Sequence, residues 1–187
     1  MVVCPECHSP IVLGVRGKTL TRSFRIDEAA LAALEEEAEK KNMSVNTFLN
    51  QQILSFAEFE RFFMRLGIVK FSANTLQRLL ESTSEDGVAA AGKTAAQDTP
   101  RAIILSKNGQ VTLETTLDYV KILSQFANLF EYSSVDTTRG RMITLTHRFG
   151  PKGSIFYENY MTALFEQIDY FLKIKTHDNS IDFEVIH

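Results

Sequence analysis

The sequence predicts an α+β protein in two parts. The first is a polar-faced strand with two helices that pairs with a second copy as a β-ribbon, and the second is an α+β domain whose antiparallel sheet carries two helices on one face. Three observations predict this. Residues 19–26 alternate, with Leu20, Arg22, Phe24 and Ile26 on one side and Thr19, Thr21, Ser23 and Arg25 on the other, so that one face is wholly polar. Beyond them Leu31, Leu34 and Ala38, then Val45, Phe48, Leu49, Ile53 and Phe56, recur at helical spacing and give each of two helices a single apolar stripe. After residue 101 the order helix, strand, strand occurs twice, the pattern of an antiparallel sheet with helices on one side.

Residues 1–17 read as an arm carrying Cys4-Pro5-Glu6-Cys7-His8. Two thiolates at this spacing suit the tight turn of a zinc knuckle, where successive amides bond the sulfurs. The chain has 2 cysteines in all, so the site is half of a zinc ribbon. Three completions fit: His8 with His147, His177 or His187; two knuckles from paired chains sharing one ion; or no metal. A redox-active or solvent-facing thiol pair competes with zinc. The thioredoxin-like version is disfavoured, because its motif sits between a strand and a helix, whereas Ile11 to Val15 reads as a strand following the cysteines.

Residues 18–67 form the next unit. At about 45 residues the strand and its two helices are too small to close a core alone, which predicts a dimer. Over Lys18 to Phe59 this stretch resembles the ribbon-helix-helix DNA-binding family, the Arc and MetJ type. The resemblance lies in the alternating strand, the length of the first helix and the phrase Ala38-Glu39-Lys40-Lys41-Asn42-Met43-Ser44-Val45-Asn46. It implies a ribbon inserted in the major groove, with Thr21, Ser23 and Arg25 reading base edges and the backbone of Ser44, Val45 and Asn46 clamping a phosphate. Arg25 is physically the best reader, because its fork can bond O6 and N7 of guanine together. Independently of the resemblance, free N–H groups and the positive dipole end make a helix start a site for anions.

Two positions depart from the family pattern. Asn42 stands where glycine is frequent, and asparagine tolerates a left-handed turn. Arg22 occupies an inward position usually apolar, and its long stem can reach toward a phosphate. Between Val15 and Ile26 the basic residues Arg16, Lys18, Arg22 and Arg25 face no acidic one, on a chain of net charge -3; this is the footprint of a local polyanion contact. Glu28 to Lys41 is acid-rich and should turn away from DNA.

Phe56, Phe59, Phe62, Phe63 and Leu66 continue the second helix to a stop at Gly67, and that excess calls for packing against a partner helix or the downstream domain. Residues 68–101 read as a helix capped near Ser72, then a linker over Ser82 to Arg101 with a weak helix around Val88 to Gln97. Residues 102–187 form the C-terminal domain, for oligomerisation or sensing. Its expected order is a strand at Ala102 to Ser106, a helix through Leu113 and Phe130, strands near Glu131 to Val135 and Met142 to His147, a helix from Ser154 to Ile168, and a hairpin of Tyr170 to Thr176 with Ile181 to Ile186. Arg148, Lys152 and Ser154, where a strand end and two glycines meet a helix start, form a candidate anion site; the competing reading is a plain turn with Ser154 as helix cap. His147 shares its strand face with Ile143 and Leu145, which favours a core histidine over a ligand.

Composition bounds the function. At 187 residues, 44% hydrophobic and 23% charged, the chain is ordinary globular material with room beyond the DNA-binding unit. No run of about 18 apolar residues is present, so no membrane partner is expected. No secretory signal is visible; with so few cysteines, the expectation is a cytoplasmic protein. No nucleophile, base and acid constellation stands out, so an enzyme is not expected. The expected function is a dimeric or higher-order transcriptional regulator that binds DNA and answers to a small molecule or metal. The alternatives are a protein-interaction module, antitoxin-like or scaffold, built on the same dimer, and a metal-responsive regulator.

Overall fold

The computed structural model describes residues 20–64, 67, 69–97, 99–137 and 140–186, which divide after residue 61 into two units. In the first unit, Leu20 to Asp27 form neither helix nor strand. The strand expected over residues 19–26 is therefore not formed in its described part; an extended segment needs a neighbouring strand to complete its ladder, and none of the described residues of this chain supplies one. Asp27 then caps helix α1, Glu28–Lys40, its Oδ1 accepting from the amides of Ala29 at 2.9 Å and Ala30 at 3.3 Å. The helix ends in a Schellman turn: Met43 N–H donates to Ala38 O, Asn42 N–H donates to Glu39 O, and Asn42 adopts φ 52°. This is the left-handed residue that asparagine was expected to supply. Ser44 caps helix α2, Val45–Ser55, accepting from Thr47 N at 3.1 Å. A π-helical turn over Phe56–Glu60 and a short α3, Arg61–Phe63, extend it. Among the described residues of this unit, Ala38 and Phe48 are the buried apolar ones.

The second unit begins with α4, Ala73–Ser82, capped by Ser72 as its sequence predicts. The expected linker is instead a well-packed helix, α5, Glu85–Gln97. Val88, Gly92 and Ala96, four residues apart, form its buried stripe, which lies against the long helix α8, Gly150–Glu166. A Cβ on Gly92 would come within 2.5 Å of the Phe156 carbonyl oxygen, so the two backbones approach as only glycine permits. The strand expected at Ala102 to Ser106 is also helical: α6, Thr99–Asn108, carries Pro100 in its first turn and buries Ile103 and Ile104. Proline favours a helix start, and burial outweighs the β preference of the two isoleucines. Gly109, at φ 74°, closes α6.

Helix α7, Leu113–Phe126, starts from a capping box of Thr112 and Thr115. The strands β1, Glu131–Thr137, β2, Gly140–Thr146, β3, Phe171–His177, and β4, Ser180–Ile186, make an antiparallel sheet in the order β1-β2-β4-β3. The order helix, hairpin, helix, hairpin is therefore as expected, and this part of the chain is α+β. Register places Ile143, Leu145, Ile181 and Phe183 on one face, all 1% exposed or less. There α8 covers β3 and β4 while α7 meets β1; the Phe165 and Phe183 rings meet edge-on at 5.9 Å. Buried hydroxyls of Tyr119 and Tyr160, 2.9 Å apart, tie α7 to α8. Helix α8 also finishes its neighbours: Gln167 Nε2 donates to Ala96 O at 2.8 Å, and Lys152 Nζ donates to the carbonyls of Glu81 and Thr83. Both satisfy carbonyls that helix ends leave unpaired. Among the described residues, no helix is long and apolar enough to cross a membrane.

Candidate functional site

Among the described residues ahead of α1, 20–27, every side chain is exposed. Thr21, Arg22, Ser23 and Arg25 are exposed, and so are Leu20, Phe24 and Ile26, at 72%, 62% and 39%. Polar residues at the outer tier of a surface segment are ordinary; three large apolar side chains beside them are not, since each left in water forgoes roughly 1.5–3 kcal/mol of burial.

The two helix starts of this unit differ in charge. At the first, the Asp27 carboxylate accepts two amides and Glu28 adds a second negative charge, so that end is already answered. At the second, the neutral Ser44 hydroxyl accepts from Thr47 N–H and lies 2.8 Å from Thr47 Oγ1, and no acidic residue stands in the first turn. The structure thus gathers Ser44, Val45 and Asn46 at one exposed helix start, where amide donors and the dipole favour an anion. The acidic face of α1 is solvated, with Lys40 Nζ 2.8 Å from both Glu36 and Glu37. Lys18, Cys4, Cys7 and His8 lie outside the described residues. Among those described, no group of three or more His, Cys, Asp or Glu side chains is placed to hold a metal.

The candidate anion site at Arg148, Lys152 and Ser154 is not assembled. Helix α8 begins at Gly150, with Pro151 in its first turn, which puts Ser154 a turn inside the helix and fully buried. Its hydroxyl donates to His177 O and lies 2.9 Å from His147 Nε2. Lys152 is committed to the end of α4, and Arg148 is exposed. His147 is indeed a core histidine, 7% exposed. Phe149 N–H donates to its Nδ1 at 3.2 Å, so the ring proton sits on Nε2 and is given to Ser154 Oγ. The pair is therefore a structural tie, because a serine nucleophile needs that nitrogen unprotonated. Both ring nitrogens of His147 are thus engaged in hydrogen bonds. His177 Nε2 stands 3.1 Å from Asp182 Oδ2, and His187 lies outside the described residues.

One feature of the C-terminal unit escaped the sequence reading. Asp136 and Arg141 face one another across the β1–β2 hairpin, Nε to Oδ1 at 3.0 Å, beside a cleft under α7. Opposite charges flanking a turn were its signal in the sequence.

The described geometry defines an N-terminal helix pair behind an apolar-exposing segment, and an α+β unit with a four-stranded antiparallel sheet. Comparison of the chain with protein-family models, curated proteins and solved structures finds no match.

Proposed function

We propose that this chain is a sequence-specific DNA-binding regulator that acts as a homodimer, pairing residues 19–26 of two copies into a ribbon that enters the major groove. The observation that carries the reading is the exposure of Leu20, Phe24 and Ile26 at alternate positions, directly ahead of a helix pair whose left-handed Asn42 turn and Ser44 cap are both formed. Pairing two such segments turns one face inward onto the helices and leaves Thr21, Ser23 and Arg25 on the other. In this arrangement Arg25 reads guanine, the hydroxyls adapt to neighbouring bases, Arg22 and Lys18 contact phosphates, and the α2 amides of each subunit hold the backbone in register.

The test is an electrophoretic shift with genomic fragments at two salt concentrations. Wild type should prefer some fragments, and Arg25→Ala should remove that preference at a cost of roughly 1–3 kcal/mol. Ser44→Asp should weaken all fragments alike, by placing a carboxylate where a phosphate is held. Equal shifts for wild type and Arg25→Ala would instead favour a dimer that captures a protein through the same surface.

A further inference from the structure

We infer that the C-terminal unit binds a free apolar α-amino acid in the cleft between α7 and the sheet. This goes beyond DNA recognition and stands whether or not the N-terminal unit reads a sequence. The cleft measures about 470 Å³ and is lined by Leu113 and Leu117 of α7, by Ile143 and Val185 of the sheet's covered face, and by Asp136, Thr137 and Arg141 of the β1–β2 hairpin. Leu113 and Leu117 are one turn apart on α7 and so face the sheet together. Its walls mix apolar side chains with the polar hairpin end, and among the described residues that line it the charged ones are Asp136 and Arg141, of opposite sign.

The charge arrangement selects the ligand. Arg141 bonds Asp136 through Nε alone among the described residues, which leaves the terminal guanidinium nitrogens for a carboxylate and the outer Asp136 oxygen for an ammonium group. A simple carboxylate would meet Arg141 but be repelled by Asp136, and a simple amine would meet the reverse. A molecule carrying both charges on one carbon satisfies both, and the branched or aromatic side chain of an α-amino acid then lies on the leucine, isoleucine and valine walls. The volume holds one such molecule with water. Arg141 and Asp136 side chains are 51% and 80% exposed, so their charges are screened and the affinity is modest, a Kd on the order of 0.1–1 mM.

Isothermal titration of the full chain without DNA tests this, with L-leucine compared with isovalerate and isopentylamine. Leucine should bind about tenfold tighter than either single-charge analogue, and Asp136→Asn and Arg141→Gln should each weaken it about tenfold. Both substitutions are at the surface, so circular dichroism should show the fold intact. Saturation by isovalerate as strong as by leucine would overturn the inference. So would leucine affinity unchanged in both variants, or no saturable leucine binding up to about 20 mM. DNA binding is not read in any arm, so failure here leaves the ribbon proposal untouched.

Discussion

The two units solve the burial problem in opposite ways. Residues 62–186 close their own core: Phe165, Met161, Leu145, Ile181 and Phe183 are 0% exposed, and α8 is packed by helices and sheet together. Residues 20–61 bury Ala38 and Phe48 and leave Leu20, Phe24, Ile53 and Phe56 half or more exposed. Helix caps and a well-formed turn give the smaller unit its local shape, but not a core. Local structure without an enclosed interior is the condition under which the proposed pairing would add stability.

The contrast can be broken at four points. Phe183→Ala should destabilise the C-terminal unit by about 3–5 kcal/mol, at a melting temperature that does not depend on protein concentration; a concentration-dependent loss would mean that this unit also relies on a partner. Phe24→Ala should instead weaken self-association by about 1.5–3 kcal/mol per buried side chain and leave the C-terminal melting unchanged, as read by sedimentation equilibrium and calorimetry. An equally strong dimer would remove the main support for the ribbon.

Acid should act on the larger unit. Burial pushes the His147 pKa down from 6.5 to about 4, so the unfolded chain takes up this proton before the folded one does. Its contribution is complete above pH 6.5 and drains away as pH falls toward 4, on the order of 2 kcal/mol. His147→Gln should flatten that slope in urea titrations across the window. The smallest effect is Ser44→Ala, which removes the α2 cap and should cost about 1 kcal/mol, seen as lower helicity of the N-terminal unit alone.

How much of this could be read in the chain follows the same division. In the smaller unit the signals are local: the left-handed Asn42 and the Ser44 cap came out as written, and Asp27, not singled out in the sequence, caps α1 in the same short-range way. The alternating pattern of residues 19–26 did not by itself give a strand: residues 20–27 are irregular, because alternation fixes a face but not a pairing partner. In the larger unit the alternating strands and the Ser72 cap were legible, whereas α5 showed only as a weak helix around Val88 to Gln97 inside a linker. Its alanines and Gly92 look like linker composition until α8 is brought within backbone contact. Ile103 and Ile104 suggested a strand, although Pro100 was the better guide, and Pro151 likewise marked a helix start that Ser154 obscured. The anion site failed for that reason: a start misplaced by one turn turned an interior serine into a cap.

The docking of α5 on α8 also sets an order of events during synthesis. Residues 85–97 leave the ribosome well before their packing partner at 150–166 exists, with a buried stripe of one valine, one glycine and one alanine that has little to hold it meanwhile. Helix α5 therefore gains its main packing surface only after that later helix has been made. The caps and turn of the N-terminal helices, by contrast, draw only on residues close in sequence and can form as soon as that stretch has been made.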